Sequence, residues 1–312
     1  MDKAGRIEIQ PWMTATETTI VMVALSALGE PARFVGGCVR DAYLGLSDRD
    51  IGDLDIDIAI PASPRSVIAR LKEAGIKTVL TGIDHGTVTA IVGSAHFEIT
   101  SLRRDVETFG RHARVAYTDN WAVDAKRRDF TMNALFSDAD GTLYDPTGGL
   151  SDLSAGRVRF VGDAAARIEE DVLRLLRFFR FHAWYGRTPP DAEALAACRT
   201  MADRLVELSA ERVWSEMRRI LLAPDPAAVL DLMAENEILD HVLPEARQRV
   251  RLAALCHLED RLGLESDVVR RLLAVIDVAP DEAARLVRRL RLSRRVGSRI
   301  AAVVEHAQEL NS

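Results

Sequence analysis

The chain is 312 residues long, 48% hydrophobic and 28% charged, enough apolar side chain for one large domain or about two to three small ones. No window reaches the roughly 18 uninterrupted apolar residues of a membrane span, and the opening MDKAGRIEIQPW lacks the apolar core and cleavage site of a secretory signal, so a cytoplasmic protein is expected. Cys38, Cys198 and Cys256 are odd in number and never spaced as CxxC, which excludes a disulfide framework and a cysteine zinc site, while a formal charge of −6 excludes an all-over basic coat and leaves only local patches for nucleic acid.

Apolar residues at helical spacing over 16–29 (Ile20, Val21, Ala24, Leu28) predict a helix closed by Gly29, followed by a short strand over 33–35 that runs into Gly36 and Gly37. A second helix is expected over 39–46. Acidic and aliphatic residues alternate over 54–60 with the period of a strand, and 87–92 and 97–101 read the same way. The stretch 102–121 reads as a loop rich in arginine: Arg103, Arg104, Arg111 and Arg114, with His112 among them. Past the Gly/Pro/Asp-rich run at 138–149 the pattern changes, and from about Ala164 onward Ala, Leu, Arg and Glu recur with helical period. The expected fold is therefore α+β in the amino-terminal half, a mixed sheet with helices over 1–150, followed by an all-α part.

Gly36 and Gly37 stand between a strand and a helix, where backbone N–H groups approach a phosphate closely and the helix start favours its charge. A tight strand-to-helix turn explains the same glycines on their own. The next strand narrows the choice, because Asp55 and Asp57 are two apart and project from one face. Two carboxylates held together repel unless a cation lies between them, and oxygen-only ligands at a phosphate-handling site suit Mg²⁺. Glu98, on the strand over 97–101, offers a third carboxylate to that face.

The order of these stretches resembles the class II branch of the DNA polymerase β-like nucleotidyltransferases, which contains CCA-adding tRNA nucleotidyltransferase and bacterial poly(A) polymerase. The resemblance rests on FVGGCVRD (34–41), DIDIA (55–59), HGTV (85–88), FEITSLR (97–103), RRDFTMNA (127–134), DPTGGL (145–150) and EDVLRLLRFFRF (170–181), and it is close over 33–220. It implies a nucleotidyltransferase palm over 1–150, a base-reading neck over 151–222 and a tRNA-holding body over 223–312. It also implies that Asp55 and Asp57 hold two Mg²⁺ ions, with Glu98 as a catalytic companion, for in-line transfer of a nucleotidyl group to the tRNA 3′ end with release of pyrophosphate. Gly36, Gly37, Arg40 and Arg128 would meet the nucleotide, with Asp129 and Asn133 ordering the segment around Arg128 and Phe130 packing beneath it.

Asp171, Arg174, Arg177 and Arg180 recur every third residue, a spacing that also suits a salt-bridged solvated helix face. The resemblance makes Asp171 and Arg174 the donor–acceptor pair that reads the edges of cytosine and adenine without a nucleic-acid template, with Arg177 and Arg180 contacting phosphates or bracing that pair. It makes the 102–121 loop a flexible element used in switching from C to A. Glu211, Arg212 and Glu216 would brace the base-reading helix.

The tract 285–299 carries Arg285, Arg288, Arg289, Arg291, Arg294, Arg295 and Arg299 with no acidic residue of its own, which suits an RNA backbone, and Arg288, Arg291 and Arg295 are the expected contacts. Relatives commonly continue into a tail that meets the tRNA elbow. The expected activity is addition of CCA to tRNA from CTP and ATP, with no membrane and no obligatory protein partner. Poly(A) polymerase shares nearly every motif above. Enzymes adding only CC or only A are further alternatives, and an inactive tRNA-binding relative is disfavoured by Asp55 and Asp57.

Overall fold

The computed structural model describes residues 1–46, 56–82, 86–109 and 112–311, which form two compact units: Met1–Ala155 with Arg159–Asp163, and Gly156–Val158 with Ala164–Ser312. The first unit opens with β1 (Lys3–Arg6), α1 (Pro11–Thr14), α2 (Thr16–Ser26), β2 (Arg33–Val35), α3 (Gly37–Leu44), β3 (Ile56–Ile60) and α4 (Pro64–Glu73). It continues with β4 (Lys77–Gly82), β5 (Thr87–Val92), β6 (Ala95–Ser101), β7 (Arg103–Phe109), β8 (His112–Tyr117), α5 (Trp121–Lys126), a 3₁₀ turn (Thr131–Asn133), β9 (Phe136–Ser137), β10 (Thr142–Tyr144) and α6 (Gly149–Ala155).

Eight of these strands form one mixed sheet in the order β1-β10-β9-β2-β3-β6-β5-β4. β3 and β6 are parallel neighbours with Asp57 beside Glu98, and β6 pairs β5 antiparallel with Glu98 beside Thr89. One face is apolar: Phe34, Ile58, Phe97 and Val88 are each at 0% exposure, under Val21 and Leu25 of α2 and Val67 and Leu71 of α4. Burying side chains of this size contributes about 1.5–3 kcal/mol each. Val35, Ala59 and Phe136 point the other way and pack with Trp121 and Ala125 of α5, so one end of that second face is closed while Asp57 and Glu98 stand at the other.

Within the stretch 102–121, expected as a loop, β7 and β8 pair antiparallel, with residues 110 and 111 outside the described residues; α5 follows, capped by Asn120, whose Oδ1 accepts the N–H groups of Ala122 and Val123 at 3.0 and 3.2 Å. Arginine-rich composition hid the strand period there.

The second unit holds α7 (Ala164–Glu170), α8 (Leu173–Tyr185), α9 (Ala192–Thr200), α10 (Ala210–Leu221), α11 (Pro226–Glu235), α12 (Leu239–Val242), α13 (Arg249–Leu262), α14 (Val268–Val275), α15 (Pro280–Arg289) and α16 (Arg294–Asn311). Leu175, Leu176, Phe178 and Phe179 form its centre and are fully buried. Packing is continuous across residue 222, where the sequence reading divides neck from body. Arg271, 2% exposed, ties the two sides by donating to the carbonyls of Leu221 and Ala223 at 2.8 and 2.7 Å and to Glu259 Oε2 at 2.8 Å. No described helix is long and apolar enough to cross a membrane.

Candidate active site

β3 carries Asp57 because its flanking Ile56 and Ile58 are claimed by the apolar face, which leaves the odd position for a polar group. Asp57 is half-buried and Glu98 exposed, side by side in the parallel ladder. Asp55 lies outside the described residues. Oxygen donors from two adjacent strands on one face are the set a hard divalent cation takes. Among the described residues no group of three or more His, Cys, Asp or Glu side chains gathers, so the described part of such a centre is Asp57 and Glu98.

The β2–α3 turn abuts Asp57. Gly36 has φ 77° and ψ −131°, a backbone open to glycine, and a Cβ there would stand 3.5 Å from Asp57 Oδ2 and 3.9 Å from Arg128 Nη1. Gly37 begins α3. Cys38 Sγ–H donates to the Val35 carbonyl at 3.4 Å and lies 3.9 Å from the Asp57 carbonyl. Burial, followed by the negative charge of Asp57, pushes its thiol up to about 12.

Arg40, expected to meet the nucleotide through its charge, is turned into the protein and is 7% exposed. Its Nε and Nη2 grip Asp41 at 2.8 and 2.7 Å and its Nη1 donates to Asn133 Oδ1 at 2.7 Å. The short reach from α3 to the 3₁₀ turn makes it a brace between the glycine turn and the 127–134 segment. Asp129 Oδ1 accepts from Phe130 N–H at 2.8 Å and Asn133 Nδ2 at 3.1 Å, and the Phe130 ring packs tilted against Phe160 with centroids 4.7 Å apart.

Arg128 stands beside the glycine turn. Its Nε and Nη2 donate to Asp124 Oδ2 at 3.3 and 3.0 Å, and its guanidinium lies 5.4 Å over the Phe136 ring. Arg127 donates to Asp124 Oδ1 at 2.8 Å; burial, only partly offset by Asp124, lowers its guanidinium to about 10. Asp124 was detectable in the sequence only by its spacing three and four residues ahead of two arginines, a signal that the motifs around it obscured.

In the second unit, the helical pattern that carries Asp171, Arg174, Arg177 and Arg180 is broken: α7 ends at Glu170 and α8 starts at Leu173, so Asp171 sits in the junction. Its Oδ1 accepts the Leu173 N–H at 3.1 Å and its Oδ2 pairs with Arg212 Nη2 at 2.8 Å. Arg174 does not reach along the helix to Asp171 in these bonds. It pairs with Glu170 at 2.5 Å and donates to the Arg167 carbonyl at 3.0 Å, so both partners come from α7 across the break. Arg180 pairs with Glu216, 3% exposed, at 3.0 Å, and Arg177 and Arg180 lie 5.3 and 4.4 Å over Phe181.

The basic tract is less free than its sequence suggests. Arg285 pairs with Asp281, Arg289 with Glu245, Arg291 with Glu211 and Arg299 with Asp267. Arg291, one of the expected RNA contacts, is thus matched to a carboxylate at 2.7 Å. Arg288, Arg294 and Arg295 are exposed and have no carboxylate partner among the described residues.

Residues 32–159 match the Poly A polymerase head domain family, and residues 190–249 match the family described as a probable RNA and SrmB-binding site of polymerase A. The chain is 33% identical over 291 residues to the CCA-adding enzyme of Streptococcus gordonii, covering 93% of this chain and 70% of that one. It is 35% identical to the mitochondrial CCA tRNA nucleotidyltransferase 1 of Mus musculus (89% and 63% covered) and 41% identical to that of Danio rerio (65% and 47%). The chain therefore spans about half to two thirds of the length of these vertebrate relatives. The crystal structure of the Bacillus stearothermophilus CCA-adding enzyme in complex with CTP superposes with a TM-score of 0.75 at 27% identity, over 97% of this chain and 72% of that one. The mixed-sheet unit with its Asp57–Glu98 ladder, the helical unit and these matches agree: the chain belongs to the family of CCA-adding tRNA nucleotidyltransferases and bacterial poly(A) polymerases, whose chemistry is metal-dependent.

Proposed function

We propose that the chain adds C, C and A to the 3′ end of tRNA from CTP and ATP without a nucleic-acid template. The observation that carries this is the meeting of Asp57, Glu98, Gly36 and Arg128: paired carboxylates, a turn open to close backbone approach, and a fixed cation. Asp55, Asp57 and Glu98 would hold Mg²⁺, which when bound lowers the pKa of the attacking hydroxyl and neutralises charge on the triphosphate. Gly36 and Gly37 leave room for phosphate oxygens against backbone N–H groups, and Arg128 meets them with its free edge. Arg40 holds the turn and the 127–134 segment in register. Asp171 and Arg174 select the base, with Asp171 held by Arg212 and the helix behind it held by Arg180 and Glu216. Arg288, Arg294 and Arg295 attract the RNA backbone. Three buried cysteines without disulfides suit a reducing compartment, the cytoplasm in this reading.

The test is a purified sample given tRNA lacking its 3′ end with each labelled nucleotide in turn and together. Incorporation of C from CTP, then of A after C, with little from UTP or GTP, is expected. Long runs of A on any RNA 3′ end would replace this reading with poly(A) synthesis, addition of C alone or A alone would narrow it, and no incorporation would leave an RNA-binding relative.

A further inference from the structure

Asp124 is at 0% exposure on α5, one turn ahead of two arginines. Its Oδ1 accepts from Arg127 Nε at 2.8 Å and from the backbone N–H of Arg103, the first residue of β7, at 3.2 Å. Its Oδ2 accepts from Nε and Nη2 of Arg128 at 3.3 and 3.0 Å. A guanidinium is a rigid planar fork, so holding the Nε/Nη2 edge aims the opposite one. That remaining atom, Nη1, is the one nearest the glycine turn, 3.9 Å from the Gly36 Cβ position, which also lies 3.5 Å from Asp57 Oδ2.

We propose that Asp124 is a positioning residue that aims Arg128 Nη1 at the phosphates of the incoming nucleotide, an inference that rests on the nucleotidyl-transfer reading above. Burial alone would raise the Asp124 carboxyl, but the charges of Arg128 and Arg127, with hydrogen bonds from Arg127 and Arg103, outweigh it and hold it low, so the group stays anionic. Its charge and its aim make opposite predictions. Removing the charge leaves the arginines around it with less compensation, which by electrostatics alone strengthens attraction for a polyanion. Removing the clamp lets the Arg128 fork turn, which weakens it.

The experiment uses the full chain and measures affinity for CTP and for inorganic pyrophosphate by calorimetry, which needs no turnover. Asp124→Asn keeps the shape of the side chain. It is expected to weaken both ligands on the order of tenfold, the scale of losing a well-aimed charge-assisted contact, with tRNA affinity unchanged. In an Arg128→Ala background the same substitution should change CTP affinity by less than about twofold, because its route is gone. Asp124→Glu, which keeps the charge and shifts the carboxylate by one methylene, should also weaken CTP. Tighter pyrophosphate binding in Asp124→Asn, or equal loss in both backgrounds, overturns the proposal. If near-ultraviolet circular dichroism shows Asp124→Asn unfolded, the same cycle run with Asp124→Glu decides it. Absence of nucleotide incorporation by the wild-type chain would instead refute the underlying reading, and the binding data would stand apart from it.

Discussion

Gly149→Ala is expected to damage the first unit far more than a single methyl group suggests. Asp145 pulls the start of α6 down by accepting N–H groups from Gly149 at 2.8 Å and Leu150 at 2.9 Å. The helix start is thereby pressed onto the 3₁₀ turn, and a Cβ on Gly149 would stand 2.2 Å from the Thr131 carbonyl oxygen and 2.7 Å from its carbon. Ordinary contacts begin near 3.4 Å, so backbone must move by about 1 Å against a turn anchored through Thr131 Oγ1 to Asp152 at 2.7 Å. Overpacking of this kind costs about 1–3 kcal/mol, which for a unit of this size lowers its melting temperature by about 2–10 °C. The same movement drags the segment that carries Arg128 and Asn133, so nucleotide addition should fall as well. Gly37→Ala is the control: its Cβ would meet Arg40 Nη2 at an ordinary 3.5 Å, and alanine suits a helix, so stability should hold or rise by up to about 1 kcal/mol. Differential scanning calorimetry of both variants makes the comparison, and a Gly149→Ala protein that melts with Gly37→Ala would refute the packing argument.

Asp57→Asn should lower nucleotide addition by about a thousandfold or more while tRNA affinity stays within a few fold, since it removes an oxygen donor and no RNA contact; retained turnover refutes its role. Replacing Arg288, Arg294 and Arg295 together by alanine should reduce the slope of log affinity for tRNA against log salt by about 2–3, whereas Arg291→Ala, already neutralised by Glu211, should change it by less than 1. Arg212→Ala releases Asp171 and should cost about tenfold in discrimination against UTP and GTP, measured by misincorporation, with unchanged choice removing Asp171 from base reading. Cys38 keeps its proton in the folded chain up to about 12, whereas an unfolded thiol loses it near 9.0, so the unfolded state binds fewer protons in that window and stability falls as pH rises through it. Urea titrations should show a shallower alkaline decline for Cys38→Ala, and an unaltered decline would exclude this thiol as its source.

The carboxylate-bearing strand and the glycine turn were legible in the sequence because each is local: alternation over 54–60 shows one polar face, and paired glycines before a helix show a tight turn. The inward turn of Arg40 was not, since the residue that captures its Nη1, Asn133, is 93 residues away. The break at Asp171 was hidden for a different reason. An aspartate mid-pattern fits helical spacing, yet its side chain competes for the N–H of Leu173 and starts a new helix instead. The i,i+4 pair of Glu170 with Arg174 was as available as Asp171 with Arg174, and geometry chose it. In the basic tract the neutralising carboxylates Glu211, Glu245 and Asp267 lie 80, 44 and 32 residues from their arginines, beyond any local count of charge.

The parallel ladder of β3 and β6 insulates the carboxylate geometry from the chain that connects the two strands. α4, β4 and β5 all intervene in sequence, but β5 and β4 stack outward beyond β6, so none of these described elements comes between Asp57 and Glu98. The turn after α4 is open: a Cβ at Gly75 would meet nothing within 4 Å. Insertions, deletions or a grafted peptide at that turn should leave the two carboxylates side by side, making it the place where this mixed-sheet unit can be lengthened or tagged. A slip of one residue in the ladder is another matter, since it would turn Glu98 into the apolar face and bring Phe97 or Ile99 out beside Asp57.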